Sequence, residues 1–288
     1  MSTPETRCEI CGSTSLRIRF TGVRGPVLEC DRCHTFRVQD IIRAPDQEQL
    51  FYATIDEQRY TGYFAPFRKG QYAEVLRGIN APPGSTLLDV GASYGWMVEV
   101  GLDLGFDSYG LEPGAAPWPK RIHDRMFRRS LEQYAQEADR QFDVITIWHV
   151  LEHLPDPVGT VECLRKLLKP GGTLVVAVPT RDGWMFKLAL ALESIFGNQR
   201  LLNELFYFHN ANMHYFYYGF EGVRRLLERA NFSVLNHFTM EAFDWIRIHS
   251  RITSKPIRGL VRLLGPLLKA SGFTRRENLI VVAQQPNA

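Results

Sequence analysis

Residues Leu87-Leu88-Asp89-Val90-Gly91-Ala92-Ser93-Tyr94-Gly95 constrain the fold of this chain more than any other stretch. Leu87 to Val90 reads as a short buried strand, Gly91 to Gly95 as a tight turn, and the residues beyond as the start of a helix. Glycine at Gly91 and Gly95 permits close approach of backbone to a ligand, and a helix N-terminus presents unbonded N–H groups to it. Asp89 sets a fixed negative charge at the mouth of the turn. That suits a nucleotide-like ligand carrying a cationic group and disfavours a bare pyrophosphate. A Gly-x-Ser-x-Gly spacing also marks ordinary strand-to-helix turns, so the residues that follow must carry the argument.

Strands and helices alternate from here, the pattern of a parallel sheet covered on both faces. A helix from Trp96 to Leu104 leads through Gly105 to a strand, Ser108 to Leu111, that ends in Glu112-Pro113-Gly114. One strand–helix–strand unit separates Asp89 from Glu112, so Glu112 should stand at the tip of the neighbouring strand, where a carboxylate accepts hydrogen bonds from both hydroxyls of a ribose. Lys120 to Arg129 fits a short helix and an edge strand, with Ser130 and Leu131 at its end. Phe142 to Trp148 is a strong strand opening into His149-Val150-Leu151-Glu152-His153-Leu154-Pro155-Asp156-Pro157. A helix from Val158 to Leu168 stops at Lys169-Pro170-Gly171-Gly172, and Thr173 to Val178 is a further strand. Gly219 to Ala230 reads as a helix, Phe232 to Phe238 and Asn278 to Ala283 as strands.

The N-terminal segment, residues 1–45, carries a second constraint. Cys8-Glu9-Ile10-Cys11 and Cys30-Asp31-Arg32-Cys33 are eighteen residues apart, a spacing that suits one four-thiolate site. Cys8, Cys11, Cys30 and Cys33 would close a tetrahedral ion and leave no open position, so zinc there reads as structural. Rubredoxin-like iron, two disulfides and a dithiol redox pair are the alternatives. Phe20, Val27, Leu28 and Phe36 form a core too small to fold well without metal, and Gly12 suits the turn after the first knuckle. Cys163, in a helix, is a bystander. This cysteine usage points to a reducing cytoplasm. Met1 to Cys11 has no secretory pattern, and no apolar run is long enough to span a bilayer.

Residues 46–80 form a polar and aromatic connector. Its rings, Tyr60 and Tyr63 above all, either dock it on the main domain or line a substrate cleft, and Gln71 to Ile79 reads as its helix. Residues 81–288 then form the main domain with two insertions. The first, about 183–213, is apolar from Trp184 to Phe208 and would roof the crevice beyond the strand ends as a lid, with His209 and His214 at its far end; packing on the core alone is the other reading. The second, 241–276, holds eight basic residues between Arg247 and Arg276 and no acid, so the rest of the chain is net negative although the whole is +3. Ile257, Leu260, Val261, Leu264 and Leu268 recur there at helical spacing, and Pro266 should split the segment into two short helices. Such a segment fits peripheral contact with anionic lipid at the inner face of a membrane, contact with the phosphates of a lipid- or nucleotide-linked acceptor, or a packed helix pair with a solvated basic edge.

LDVGASYG at 88–95, YGLEPG at 109–114, FDVITIWHVLEHLPDP at 142–157 and LLKPGGTLVVAVP at 167–179 resemble, in order and spacing, the motifs of class I S-adenosylmethionine-dependent methyltransferases. The cysteine knuckles, the aromatic connector and Phe216 to Val234 are similar to a bacterial subgroup with an N-terminal zinc ribbon. The resemblance implies an α/β fold: a Rossmann-like, doubly wound seven-stranded sheet with its last strand antiparallel, plus a small zinc ribbon. It implies that the turn Asp89, Gly91, Ala92, Ser93, Tyr94 and Gly95 holds the methionine end of S-adenosylmethionine and Glu112 its ribose. Ser130 and Leu131 would flank adenine, and His149 would lie near the methionine moiety. Ser93 stands where the commonest form of the loop has glycine; being small, it should preserve binding. Tyr94 or Trp148 would favour the cationic sulfonium through a ring face, or simply pack.

The function expected is methyl transfer to a small-molecule, sugar or lipid-linked acceptor in envelope or secondary metabolism. A base is needed only where the nucleophile must lose a proton. His153 is the candidate, beside a Glu152 carboxylate that would favour its protonated form, with His149 and His214 behind it; His153 as a structural cap is the alternative. RNA methylation, with the zinc module on RNA, is a second reading. Seven arginines against five acids in residues 1–45, with no basic stripe, argue against a nucleic-acid partner. A non-catalytic S-adenosylmethionine-binding protein is the third.

Overall fold

The computed structural model describes residues 7–22, 25–39, 52, 57–206, 214–242, 255–272 and 275–287. Its large sheet is built from β4 (Thr86–Val90), β5 (Asp107–Leu111), β6 (Met126–Phe127), β7 (Phe142–Trp148), β8 (Leu168–Pro179), β10 (Ser233–Met240) and β11 (Asn278–Gln284). The order is β10-β11-β8-β7-β4-β5-β6. From β8 to β6 every pairing is parallel, and β11 runs antiparallel to both β8 and β10. The apolar runs dictate this: Leu87, Leu88, Ile145, Ile147 and Leu174 to Val178 are wholly buried, because both faces of a crossover-built sheet are covered. The seven-stranded sheet and its antiparallel last strand are those the resemblance implies.

Helices α1 (Glu57–Arg77), α2 (Trp96–Asp103), α3 (Leu131–Glu137) and α4 (Pro157–Leu167) cover it. Ser130 caps α3 in a full capping box with Gln133, and the Asp156 side chain accepts from Gly159 N at 2.9 Å to cap α4. Further along lie α5 (Trp184–Phe196), α6 (Arg200–Phe206), α7 (Phe220–Arg229) and α8 (Lys255–Ala270). The second sheet is small, order β1-β2-β3-β9: β1 (Leu16–Gly22), β2 (Gly25–Cys30) and β3 (Phe36–Val38) come from the cysteine segment, and β9 (Phe216–Tyr217) from the main domain.

Two helices depart from expectation for one reason. The connector is mostly a single helix of 21 residues running through Pro66, and α8 is one helix running through Pro266. Proline strips a hydrogen bond from the carbonyl four residues earlier. Here Pro66 and Gly62, like Pro266 and Arg262, are exposed, so water replaces the missing donor. The glycine turn also differs in cause. Gly91 and Gly95 sit at φ +72° and +75°, and a Cβ would collide with Val150 Cγ2 at the first and Ile122 Cδ1 at the second. Protein packing alone thus suffices to exclude a side chain there. Gly91→Ala should therefore cost about 2 kcal/mol or more through strain and overpacking, read as a lower denaturation midpoint; an unchanged midpoint would mean that the turn relaxes freely.

Candidate active site

A cavity of about 410 Å³ opens beyond the carboxyl ends of β4, β5 and β7. One half is walled by Asp89, Gly91, Ala92 and Ser93 from the turn, with Glu112, Ser130 and Leu131 beside them. Asp89 is 5% exposed and its Oδ1 accepts from Thr146 Oγ1 at 2.6 Å, its partner in strand register. Burial lifts its pKa to about 7. Glu112 accepts at Oε2 from Ser93 N at 2.8 Å and at Oε1 from Gly114 N at 2.7 Å, tying the turn to the tip of β5. Ser93 is held at φ +49°, and Tyr52 Oη donates to its Oγ at 2.9 Å.

Tyr94 and Gly95 are not in the cavity wall. Tyr94 is buried and stacks on Trp96 at 5.5 Å, and Trp96 faces the cavity instead. Of the two connector rings singled out, Tyr60 lines the cavity, while Tyr63 is buried outside it. Sequence reasoning missed Arg68. It enters this half from α1, with Nη1 donating to Gln71 Oε1 at 2.8 Å and its charge over the Phe64 and Phe67 rings. Burial lowers its pKa, and among the described residues no carboxylate lies within ion-pair reach. The signal was present: Tyr60, Phe64, Arg68 and Tyr72 repeat every four residues along one helical face.

The other half gathers the histidines. Trp148 ends β7, and His149 follows in the left-handed region at φ +55°, its N–H donating to Ala177 O at 2.9 Å. Strain of this kind concentrates at functional sites. His149 Nδ1 lies 3.2 Å from Oε1 of Glu152, which is wholly buried. His153 Nε2 is 3.9 Å from the same oxygen, and the His153 and His214 rings are 4.7 Å apart. Glu152 Oε2, His149 Nε2 and His214 Nδ1 are buried and find no hydrogen-bond partner among the described residues. Burial raises the Glu152 pKa to about 8 and pushes His149 and His214 well below the usual imidazole value. Burial therefore favours the neutral acid at Glu152 and weakens the negative charge expected beside His153. Glu152, His153 and His214 also have ligand atoms within 4.8 Å of one another, a trio that could hold a metal ion. Leu154, Met185 and Leu205 give this end apolar walls, two of them from the 183–213 insertion; His209 lies outside the described residues. Glu277 accepts from Trp184 N at 3.0 Å, capping α5 from the cavity wall.

The four cysteines converge elsewhere. Cys8 and Cys33 Sγ are 3.6 Å apart, Cys11 and Cys30 Sγ 3.5 Å, and all four lie within 4.8 Å. Ligands on tetrahedral zinc stand about 3.8 Å apart, given bonds of ~2.3 Å, whereas a disulfide needs ~2.05 Å. The set fits a metal. Gly12 takes φ +71°, as a knuckle turn requires, and Cys163 stands apart.

Residues 64–237, more than half the chain, match the methyltransferase domain family. The chain belongs to that family. Among curated relatives it is similar to the ubiquinone biosynthesis O-methyltransferase of Klebsiella pneumoniae, 32% identical over 133 residues, which is 43% of this chain and 54% of that protein. The counterpart in Pseudomonas paraeruginosa is 35% identical over 107 residues, 34% and 46% of the two chains. The chain thus spans about half the length of the curated relatives it matches. Its fold is shared with the Burkholderia thailandensis 1,6-didemethyltoxoflavin-N1-methyltransferase, solved with its substrate and S-adenosylhomocysteine: TM-score 0.55, 15% identity, 89% of this chain and 97% of that one. A cyclopropane synthase from Mycobacterium tuberculosis has the same TM-score of 0.55 at 14% identity, covering 85% and 98%.

A buried acid with a raised pKa keeps its proton in the folded state while the unfolded chain releases it, so its stabilising contribution is full below 4.5 and lost as pH rises through about 8. The stability difference between wild type and Glu152→Gln should fall steadily across that window, followed by urea titrations at several pH values. A difference independent of pH would show Glu152 ionised throughout.

Proposed function

We propose that the protein methylates a hydroxyl of a small, largely apolar acceptor. The observation that carries this reading is the division of one cavity into two chemically distinct halves. S-adenosylmethionine supplies an electrophilic methyl on a cationic sulfonium. Asp89 would receive the cofactor's ammonium and Arg68 its carboxylate, each a buried charge otherwise poorly matched. Glu112 retains a second lone pair on each oxygen for the ribose hydroxyls. Ser130 Oγ is committed to its helix cap, so this residue and Leu131 would flank adenine through backbone and aliphatic surface. Trp148 stands between the halves, where its ring favours positive charge.

His153, with His149 and His214 around it, would take the proton that a hydroxyl nucleophile sheds, and the low-dielectric pocket sharpens that transfer. Apolar walls and two buried acids, Glu152 and Glu277, suit a neutral acceptor. Arg68 and Arg129 are the only cations among the described wall residues, and Arg129 pairs with Glu137. That disfavours the phosphate-linked version of the sequence reading. The relatives named O-methyltransferases support oxygen as the target. An enclosed apolar site suits RNA poorly. Zinc at Cys8, Cys11, Cys30 and Cys33 belongs to the same reading as a structural ion.

Calorimetry with S-adenosylhomocysteine tests the cofactor half: Glu112→Ala and Arg68→Met should each weaken binding about tenfold or more, as loss of a hydrogen bond to a charged group does. Unchanged affinity in both variants would sink these assignments. For the acceptor, incubation of extract with methyl-labelled cofactor should put label in small organic-soluble products, and His153→Gln should remove most of it while binding persists. Label recovered in RNA would replace this reading with the RNA one.

A separate apolar surface lies on α8. Leu263, Leu264 and Leu267 are 71%, 38% and 67% exposed, and Arg262 is exposed near them. Arg247 and Arg251 lie outside the described residues. Among the described residues no helix is long and apolar enough to cross a membrane. Peripheral contact with anionic lipid fits this surface, each basic residue adding about 1 kcal/mol at low salt. Sedimentation should show binding to anionic vesicles that fades with salt; equal recovery with neutral vesicles would remove the membrane contact.

A further inference from the structure

The cysteine module is joined to the half of the cavity assigned above to the acceptor. β3 pairs with β9, Phe36 opposite Tyr217 and Arg37 opposite Phe216, and Val38 N donates to Tyr215 O at 3.0 Å. β3 starts just after Cys33, whose Sγ meets Thr35 Oγ1 at 3.4 Å; β9 starts just after His214. Phe36, wholly buried, meets Phe186 of α5 edge-on at 5.0 Å, and Phe186 stacks on Tyr217 at 4.4 Å. Tyr217 lines the cavity 5.9 Å from the His214 ring. Among the described residues no strand pairing joins the module to the cofactor half: β4 and β5 pair only with each other, β6 and β7.

We propose that the four-cysteine module anchors the acceptor wall: metal held by Cys8, Cys11, Cys30 and Cys33 fixes β3, and β3 fixes the strand that positions His214 and Tyr217. The proposal rests on reading that half as the acceptor side. A three-stranded module of this size buries too little apolar surface to hold its shape without metal. A strand as short as β9 cannot persist without its neighbour. Metal loss therefore loosens the acceptor wall and leaves the cofactor half standing, because the latter draws its stability from the large sheet. By linkage, a filled acceptor half holds the metal more tightly. Phe36 is the positioning residue, acting on His214 through Tyr217 and Phe186.

The test is amide hydrogen exchange by mass spectrometry on the whole chain, metal-loaded and stripped by chelator under reducing conditions, with metal content measured in parallel. After stripping, exchange over 214–218 and 184–196 should quicken about tenfold or more, while 86–111 changes less than about twofold. Affinity for S-adenosylhomocysteine should stay within about twofold. Phe36→Ala, which keeps all four thiols, should retain its metal and still quicken exchange over 214–218. Unchanged exchange there after metal loss, or an equal increase in both halves, overturns the proposal. Failure of the metal-loaded protein to bind S-adenosylhomocysteine at all would instead sink the cofactor assignment.

Discussion

The Glu112 carboxylate makes the two bonds on which the site depends. It accepts from Ser93 N within the glycine turn and from Gly114 N beyond β5. The turn it holds contains three positive φ values, at Gly91, Ser93 and Gly95, and a loop so far from extended backbone keeps its shape only when surrounding contacts fix it. Val150 and Ile122 fill the spaces that side chains on the glycines would occupy. A residue expected to serve a ligand thus first serves the fold, and its remaining lone pairs are aimed because the rest of the carboxylate is already committed.

Burial of ionisable groups gives the cavity its character. Asp89 and Glu152 are both driven toward the neutral acid, while His149 and His214 are driven toward the neutral base. Charge in the cavity is thereby concentrated at its rim and in the half that holds Arg68 and Glu112. An ammonium arriving beside Asp89 meets a group ready to give up its proton. His149 and His214 stay uncharged and able to accept one. The same low dielectric that makes each unpaired group costly strengthens whatever pairs with it.

The sheet could be read from the sequence because its strands are short, apolar and separated by glycine and proline punctuation, and the four motifs fall at strand ends where crevice residues must lie. Asp89, Glu112, His149 and His153 follow from that register alone. Arg68 did not, because Pro66 hid a helix whose four-residue repeat carries it. Tyr94 and Gly95 lie in the motif yet outside the cavity wall, since the stack on Trp96 turns the first inward and Ile122 fills the space over the second. The fourth strand of the small sheet was out of reach. Two residues, Phe216 and Tyr217, have no periodicity to detect, and their partner lies far away in sequence.

The position of β11 has a consequence for biosynthesis. It lies between β8 and β10 yet follows every other described strand in sequence. On the ribosome β8 therefore waits as an uncovered edge, with Leu174 to Val178 lacking their neighbour until Asn278–Gln284 emerges. Edges of that composition invite pairing with other chains. A nascent product thus displays a strand that chaperones and proteases can recognise, and the finished sheet conceals it with a strand made after all the others described.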